Sequence, residues 1–247
     1  MLLKSQVKYI QSLGQKKFRD EEGAFIAEGP KIVNEILKES SAELIKVFAL
    51  KEWISQHQDL IKRFEPHRIV EIPLHQLERL SGFSAPNQVL AVFRKPRFTQ
   101  RSFHKRISLA LDNIQDPGNL GTIIRIADWF GLSEIICSEG CADAFNPKAI
   151  QASMGSIVRI QVIYKNLKTF FQENHDIEKF ATLPDGPSIQ NMKLPGEAII
   201  LIGNESQGIS PDLLQLCRYK VSIPRHGQAE SLNAAVASGI ILSQFIR

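Results

Sequence analysis

The sequence predicts an α/β protein in two parts. A small N-terminal α/β domain covers residues 1–93, a basic linker covers 94–106, and a C-terminal parallel-sheet α/β domain covers 107–247. Three observations carry this. Strand-length apolar runs alternate with segments of helical periodicity along the whole chain. In the second half the run Ala198-Ile199-Ile200-Leu201-Ile202 is continuously apolar, as a parallel strand covered on both faces must be. Between the halves, Arg94 to Arg106 carries six Lys/Arg, one His, one Pro and no acid, the composition of a solvated connection.

In the first part, residues 4–13 predict a short helix with Val7, Ile10 and Leu13 on one side. Gly14-Gln15-Lys16-Lys17-Phe18-Arg19 follows as a basic loop with one aromatic, a mixture suited to phosphates and an unstacked base, or simply to solvent. Ala24 to Ala27 is a strand closing on Glu28-Gly29-Pro30, and Pro30 or Lys31 opens a helix through Leu37. Leu44 to Leu50 is the next strand, Trp53 to Phe64 a helix, Arg68 to Ile72 a strand and Pro73 to Leu80 a short helix. Ser81 to Asn87 is turn chemistry, and Gln88 to Phe93 gives the fourth strand.

The second part opens with the strand Ser108 to Asp112 and a turn-rich loop, Asn113 to Gly118. Asn119 is placed to cap a helix from Leu120 to Phe130 that ends at Gly131. Strands are expected at Glu134 to Ser138, Val158 to Ile163 and Phe180 to Leu183, with helices from Pro147 to about Met154 and from Leu167 to Asn174. The strand at Ala198 to Ile202 runs into the polar loop Gly203 to Gly208. A last strand, Tyr219 to Ile223, stops at Pro224, and Ser231 is placed to cap a helix from Leu232 to Phe245. Ligands of open α/β sheets settle beyond the carboxyl ends of strands, so these two polar, glycine-bearing strand ends make a credible pocket.

Several classes drop out. Gly203 and Gly208 have the spacing of a phosphate loop, but Ile209 stands where its lysine must be, and no Gly-x-Gly-x-x-Gly occurs. No apolar run reaches the ~18 residues of a membrane span. The N-terminus lacks a signal peptide's apolar region, and Cys137, Cys141 and Cys217 have no zinc spacing; they read as reduced thiols in a cytoplasmic protein without a metal. Charge divides between the halves, with a balance of +7 over residues 1–106 and −3 over 107–247. A basic front half suits a polyanion, and equally suits solubility.

No nucleophile–base set or paired acids stand out. What remains is a group of polar residues at loop ends and helix starts: Asn119, Arg125, Glu205, Ser231 and Asn233. Each has a structural reading as well. Asn119 and Ser231 can be helix caps, Asn233 a first-turn residue, Arg125 a surface partner of Asp128, and Glu205 a brace for its loop. Together, however, Asn119-Leu120-Gly121-Thr122-Ile123-Ile124-Arg125, Ile202 to Ile209, Ile223-Pro224 and Ser231-Leu232-Asn233-Ala234-Ala235-Val236-Ala237 resemble the three signature motifs of the SpoU (TrmH-like) RNA 2′-O-ribose methyltransferases of the SPOUT superfamily. The order and spacing cover most of 108–247. Phe25 to Gly29 and Ser84 to Leu90 make the front domain similar, more loosely, to the substrate-binding domain that often precedes that catalytic domain.

The resemblance implies a trefoil knot at the C-terminal end of the parallel-sheet domain, against the usual rule of unknotted connections. It implies S-adenosylmethionine as methyl donor, RNA as partner and a homodimer through the C-terminal domain. Carried over by position, Gly203, Glu205, Ile223, Leu232 and Leu183 would line the cofactor pocket, and Arg125, Asn119, Glu205, Ser231 and Asn233 would form the catalytic set. A guanidinium holds its proton too tightly for a base, so stabilising a developing alkoxide is the easier role for Arg125. RNA would be held by Arg125 and, in the front domain, by Lys16, Lys17 and Arg19. The two-domain layout favours ribosomal RNA over tRNA. A tRNA 2′-O-methyltransferase, an inactive RNA-binding protein of the same fold and a small-molecule α/β enzyme are the alternatives.

Overall fold

The computed structural model describes residues 2–83, 85–99 and 102–246. It forms two compact units, Met1–Phe98 with Phe145–Val158, and Thr99–Ala144 with Arg159–Arg247.

The first unit runs α1 (Lys4–Ser12), α2 (Lys16–Glu22), β1 (Ala24–Glu28), α3 (Pro30–Lys38), β2 (Leu44–Ala49), α4 (Lys51–Gln56), α5 (Gln58–Ile61), β3 (Ile69–Glu71), α6 (Leu74–Leu80) and β4 (Val89–Arg94). Its sheet has the order β1-β4-β2-β3. β4 is antiparallel to both neighbours and β2 is parallel to β3. Period-2 alternation sorts the strand side chains between two faces. Ala24, Leu90 and Val92 pack with Val7, Ile10 and Leu13 from α1 and its end, and with Leu77 and Leu80 of α6. Phe25 and Phe93 alternate with that set and stack at 5.7 Å, with the Phe145 ring 5.2 Å from Phe25.

Two expectations change here. The basic stretch after Gly14 is the helix α2, because Lys16 and Lys17 each find an acid four residues on, Asp20 at 2.5 Å and Glu21 at 3.8 Å. Gly23, at φ 57°, supplies the left-handed residue that ends it. The helix expected from Trp53 to Phe64 breaks at His57, which leaves helical geometry with φ −120°. Its imidazole stacks on Trp53 with centroids 4.7 Å apart, and its Nδ1 lies 2.8 Å from the Trp53 carbonyl.

The second unit begins with β5 (Ile107–Leu111), α7 (Pro117–Trp129) and β6 (Glu134–Cys137). After α8 (Pro147–Ser153), which packs on β1 in the first unit, come β7 (Gln161–Tyr164), α9 (Leu167–Glu173), β8 (Lys179–Thr182), β9 (Ala198–Ile202), α10 (Pro211–Leu214), β10 (Tyr219–Val221) and α11 (Ala234–Phe245). The six strands lie in the order β10-β8-β9-β5-β6-β7, and every pairing is parallel. All of β9 is buried, the physical reason for its unbroken apolar run.

One face of this sheet packs Ala110, Ile136, Ala181, Ile199 and Leu201 against Phe170 and Phe171 of α9 and Leu213 of α10. Phe180, on the alternate face, meets Phe245 of α11 edge-on at 5.1 Å. α11 also packs against α7. The strand expected from Val158 begins at Gln161, since Ser156–Val158 is a 3₁₀ turn. Among the described residues no helix is long and apolar enough to cross a membrane.

Candidate active site

β5 and β9 are neighbours in the sheet, but the chain leaves them in opposite directions, towards β6 and towards β10. Such a switch in strand order opens a crevice at the carboxyl ends. Two loops meet there. The loop after β9 is closed on itself by Asn204 and Gly208, which exchange backbone hydrogen bonds of 3.0 and 2.9 Å. Asn204 Oδ1 accepts from the amides of Ser206 and Gln207 at 2.8 and 2.9 Å. Its Nδ2 donates to the Asn113 carbonyl at 2.8 Å, tying the loop to the one after β5. Gly203 is required by close approach: a Cβ there would lie 2.5 Å from the Gly208 carbonyl carbon and 2.6 Å from the Ile209 nitrogen. Asp112 Oδ2 accepts from the Ser210 amide at 2.8 Å and fixes the far end of the same loop.

With Asn204 bracing the backbone, Glu205 is left for another task. Its Oε1 accepts from Asn119 Nδ2 at 2.5 Å. Asn119 Oδ1 in turn accepts from Asn233 Nδ2 at 2.9 Å. Asn233 Oδ1 takes the Ala235 and Val236 amides at 2.9 and 3.3 Å, so Asn233 is the N-cap of α11. One hydrogen-bonded line therefore joins the starts of α7 and α11 to the β9 loop. The capping roles expected for Asn119 and Ser231 are corrected. Asp116 caps α7 by accepting from the Asn119 amide at 2.7 Å, because Pro117 at the first helical position moves the helix start forward. α11 starts at Ala234, which leaves Ser231 and Leu232 on the exposed approach to it.

Beside this line is a cavity of about 490 Å³, walled by the loops after β8, β9 and β10 and by the start of α11. Leu183, Gly203, Glu205, Ile223, Ser231 and Leu232 all line it, and Asn119, Asn233 and Arg125 do not. Arg225, His226 and Glu230 also line it. Arg225 Nη2 lies 3.8 Å from Asp185 Oδ1. The volume lies within the ~300–1,000 Å³ usual for cofactor sites.

Arg125 stands apart. It is exposed on α7 and has no hydrogen bond or ion pair among the described residues. Asp128 is engaged by Arg159, whose Nη2 and Nε reach its Oδ2 at 2.7 and 2.9 Å. Arg19, expected on RNA, is corrected. It is only 2% exposed, and its Nη1 donates to the Leu13 carbonyl at 2.8 Å, within the first unit. Lys16 and Lys17 are exposed but held by their acidic neighbours.

Sequence reasoning missed Asn204, Asp116 and Asp112. A Gly-Asn pair entering a tight loop, and Asp before Pro-Gly, carry recognisable turn and cap signals. Asp112 carried none.

Residues 106–243 match the model of the SpoU rRNA Methylase family, and residues 4–91 match that of the MRM3-like substrate binding domain. The chain is 32% identical to the 23S rRNA (guanosine(2553)-2′-O)-methyltransferase RlmP of Bacillus subtilis, over 96% of its own length and 94% of that protein's. It superposes with a TM-score of 0.82 on the AdoMet-bound rRNA methyltransferase of Sinorhizobium meliloti, 29% identical, covering 99% and 95% of the two chains. It also superposes with a TM-score of 0.82 on the SpoU methyltransferase AviRb of Streptomyces viridochromogenes in complex with AdoMet, 25% identical, covering 99% and 97%. Spanned by the family model over residues 106–243 and 32% identical to a relative over 96% of its length, the chain belongs to the SpoU rRNA Methylase family.

Proposed function

We propose that this chain methylates a ribose 2′-hydroxyl of ribosomal RNA with S-adenosylmethionine as donor, in the cytoplasm. The observation that carries the reading is the line Glu205–Asn119–Asn233, set at the rim of a cofactor-sized cavity, with Arg125 unpartnered among the described residues on the adjoining helix.

Gly203, Leu183, Ile223 and Leu232 would hold the cofactor, through backbone groups and apolar walls. The sulfonium supplies a methyl group as electrophile. The protein's own work is alignment, exclusion of water and care of one proton. The asparagine line fixes Glu205 on the cavity rim, where a carboxylate can order the ribose or the cofactor's charged end. Arg125 has no counter-ion among the described residues, so its guanidinium is available to the RNA. There it would stabilise the negative charge that develops on the 2′-oxygen, with a phosphate or water taking the hydroxyl proton.

The same reading includes a homodimer through the second unit. Trp129 at the end of α7 is 85% exposed, and Val236 of α11 is 50% exposed, a costly arrangement for a monomer. It also includes the trefoil knot: β10 lies at the sheet edge beyond β8, and the chain returns from it to α7 through α11.

The test is transfer of labelled methyl from S-adenosylmethionine to unmodified ribosomal RNA and tRNA, with nuclease mapping of the product. Label at one ribosomal 2′-oxygen is expected. Label confined to tRNA replaces the substrate. Absence of both methyl transfer and cofactor binding sinks the reading.

A further inference from the structure

Of the three residues expected to meet RNA in the front domain, Arg19 is buried and the exposed Lys16 and Lys17 each have an acid beside them. The first nineteen residues hold five cations and no acid. Lys4 and Lys8 are left. They lie one turn apart on α1, both exposed, and neither has a partner among the described residues.

Gln11 continues their row, and its Nε2 donates to the Arg79 carbonyl at the end of α6, at 2.9 Å. α1 and α6 therefore lie side by side on one face of the sheet, sharing the core of Val7, Ile10, Leu77 and Leu80. Arg79 is exposed and its side chain is unpaired among the described residues, as is that of His75 one turn earlier. Glu78, also exposed, is the single acid of α6. The combined outer face carries a net positive charge.

We propose that the outer face of α1 and the adjoining end of α6, through Lys4, Lys8 and Arg79, is the surface on which the front domain holds the sugar–phosphate backbone of its RNA. This rests on the methyltransferase reading and gives its substrate domain a face. The polar residues between the cations favour RNA over a membrane. Ser5 and Gln11 offer hydroxyl and amide groups suited to phosphate and 2′-hydroxyl oxygens, whereas the helix's apolar residues Val7 and Ile10 are committed to the core. A lipid-seated helix would need them outside.

The experiment measures binding of the full chain to large-subunit ribosomal RNA transcribed in vitro, as a function of salt. Lys4→Gln, Lys8→Gln and Arg79→Gln are combined in one variant. Each phosphate that is no longer neutralised lowers the log–log salt slope by about 0.7, so the variant's slope falls by roughly two. Calorimetric affinity for S-adenosylmethionine and melting temperature stay at the wild-type values. A control variant removes three other cations of the same unit, Lys51→Gln, Lys62→Gln and Arg63→Gln, and keeps the wild-type slope. Lys8→Glu alone provides a second variant with the same direction of effect. An unchanged slope in the first variant, or an equal fall in both, overturns the proposal. Loss of binding to anionic phospholipid vesicles with no change in RNA slope overturns it in favour of a membrane surface. If the wild type itself neither binds nor methylates RNA, it is the methyltransferase reading that has failed.

Discussion

Asn119 Nδ2 donates to Glu205 Oε1 at 2.5 Å, joining the first turn of α7 to the loop after β9. Asn119 is held from its other side by Asn233 Nδ2 at 2.9 Å. An amide fits this position because it must donate to a carboxylate and accept from another amide at once. Asn119→Asp would set two carboxylates together. We expect it to reduce methyl transfer by ~10²-fold or more, a loss of ~2.7 kcal/mol in transition-state stabilisation. Single-turnover rates with saturating cofactor measure this. A near-wild-type rate would remove the Asn119–Glu205 contact from the reaction.

Asn233 has two tasks, and they can be separated. Its Oδ1 caps α11 while its Nδ2 serves Asn119. Asn233→Ser keeps a capping oxygen and loses the second donor. Stability should fall by only a few tenths of a kcal/mol, whereas Asn233→Ala should cost ~1 kcal/mol. Both should slow methyl transfer to a similar degree. Thermal melting beside the rate assay decides it: activity that follows stability would make Asn233 a cap and nothing more.

Arg125 is exposed and without an internal partner among the described residues, so its removal touches only what binds from outside. Arg125→Ala should leave folding within ~0.5 kcal/mol of wild type. It should abolish methyl transfer and keep cofactor affinity within a few-fold. Equal loss of both would place Arg125 in cofactor binding.

Much of the layout was legible because it rests on local rules. The buried strand β9 showed itself as an apolar run, and Asn146-Pro147 marked the start of α8. Other features depend on partners distant in sequence. Nothing local says that Asn119 meets a carboxylate 86 residues away, or that Asp128 prefers Arg159 over Arg125 three residues before it. Arg19 misled for the same reason. In sequence it belongs to a basic run, but in the fold its guanidinium closes the turn at Leu13. The family motifs were readable in the sequence, and the hydrogen bonds that join them were not.

Gly203 provides a test of the loop itself. Its missing Cβ leaves room for the backbone of Gly208 and Ile209, which cannot yield as a flexible side chain would. Gly203→Ala should open the Asn204–Gly208 turn, cost ~1–3 kcal/mol as overpacking does, and weaken cofactor binding by more than tenfold. Calorimetry on the folded variant checks this. Unchanged affinity would show that the loop's shape is not what holds the cofactor.

Asp20 gives a pH dependence with a defined sign. Hydrogen bonds from Lys16 Nζ at 2.5 Å and Lys95 Nζ at 2.6 Å hold its carboxyl below the usual value of 3.8. A depressed folded-state value means the contribution is present at neutral pH and is lost as pH falls through that value. Asp20→Asn should therefore melt lower than wild type at pH 7. The cost is on the order of 1 kcal/mol or less for such exposed pairs, and the gap should close as pH falls below the depressed folded-state value. A gap that persists in acid would mean that the charge of Asp20 is not what ties Lys95 to α2.

The exposed apolar face of the second unit makes the last prediction. Trp129, Val236 and Ile240 are 85%, 50% and 37% exposed, on two helices that pack together. Val236 and Ile240 are one turn apart on α11 and form a single stripe. A twofold pairing would bury this patch against its own copy, which needs no second complementary surface. Val236→Glu puts a charge into the middle of that contact, and an unpaired buried charge is among the few substitutions that cost several kcal/mol. The wild type should sediment as a dimer at micromolar concentration and the variant as a folded monomer, by analytical ultracentrifugation. If the monomer also loses methyl transfer while retaining its melting transition, the second copy takes part in forming the working site. A monomeric wild type would instead leave Trp129 and Val236 for a different partner.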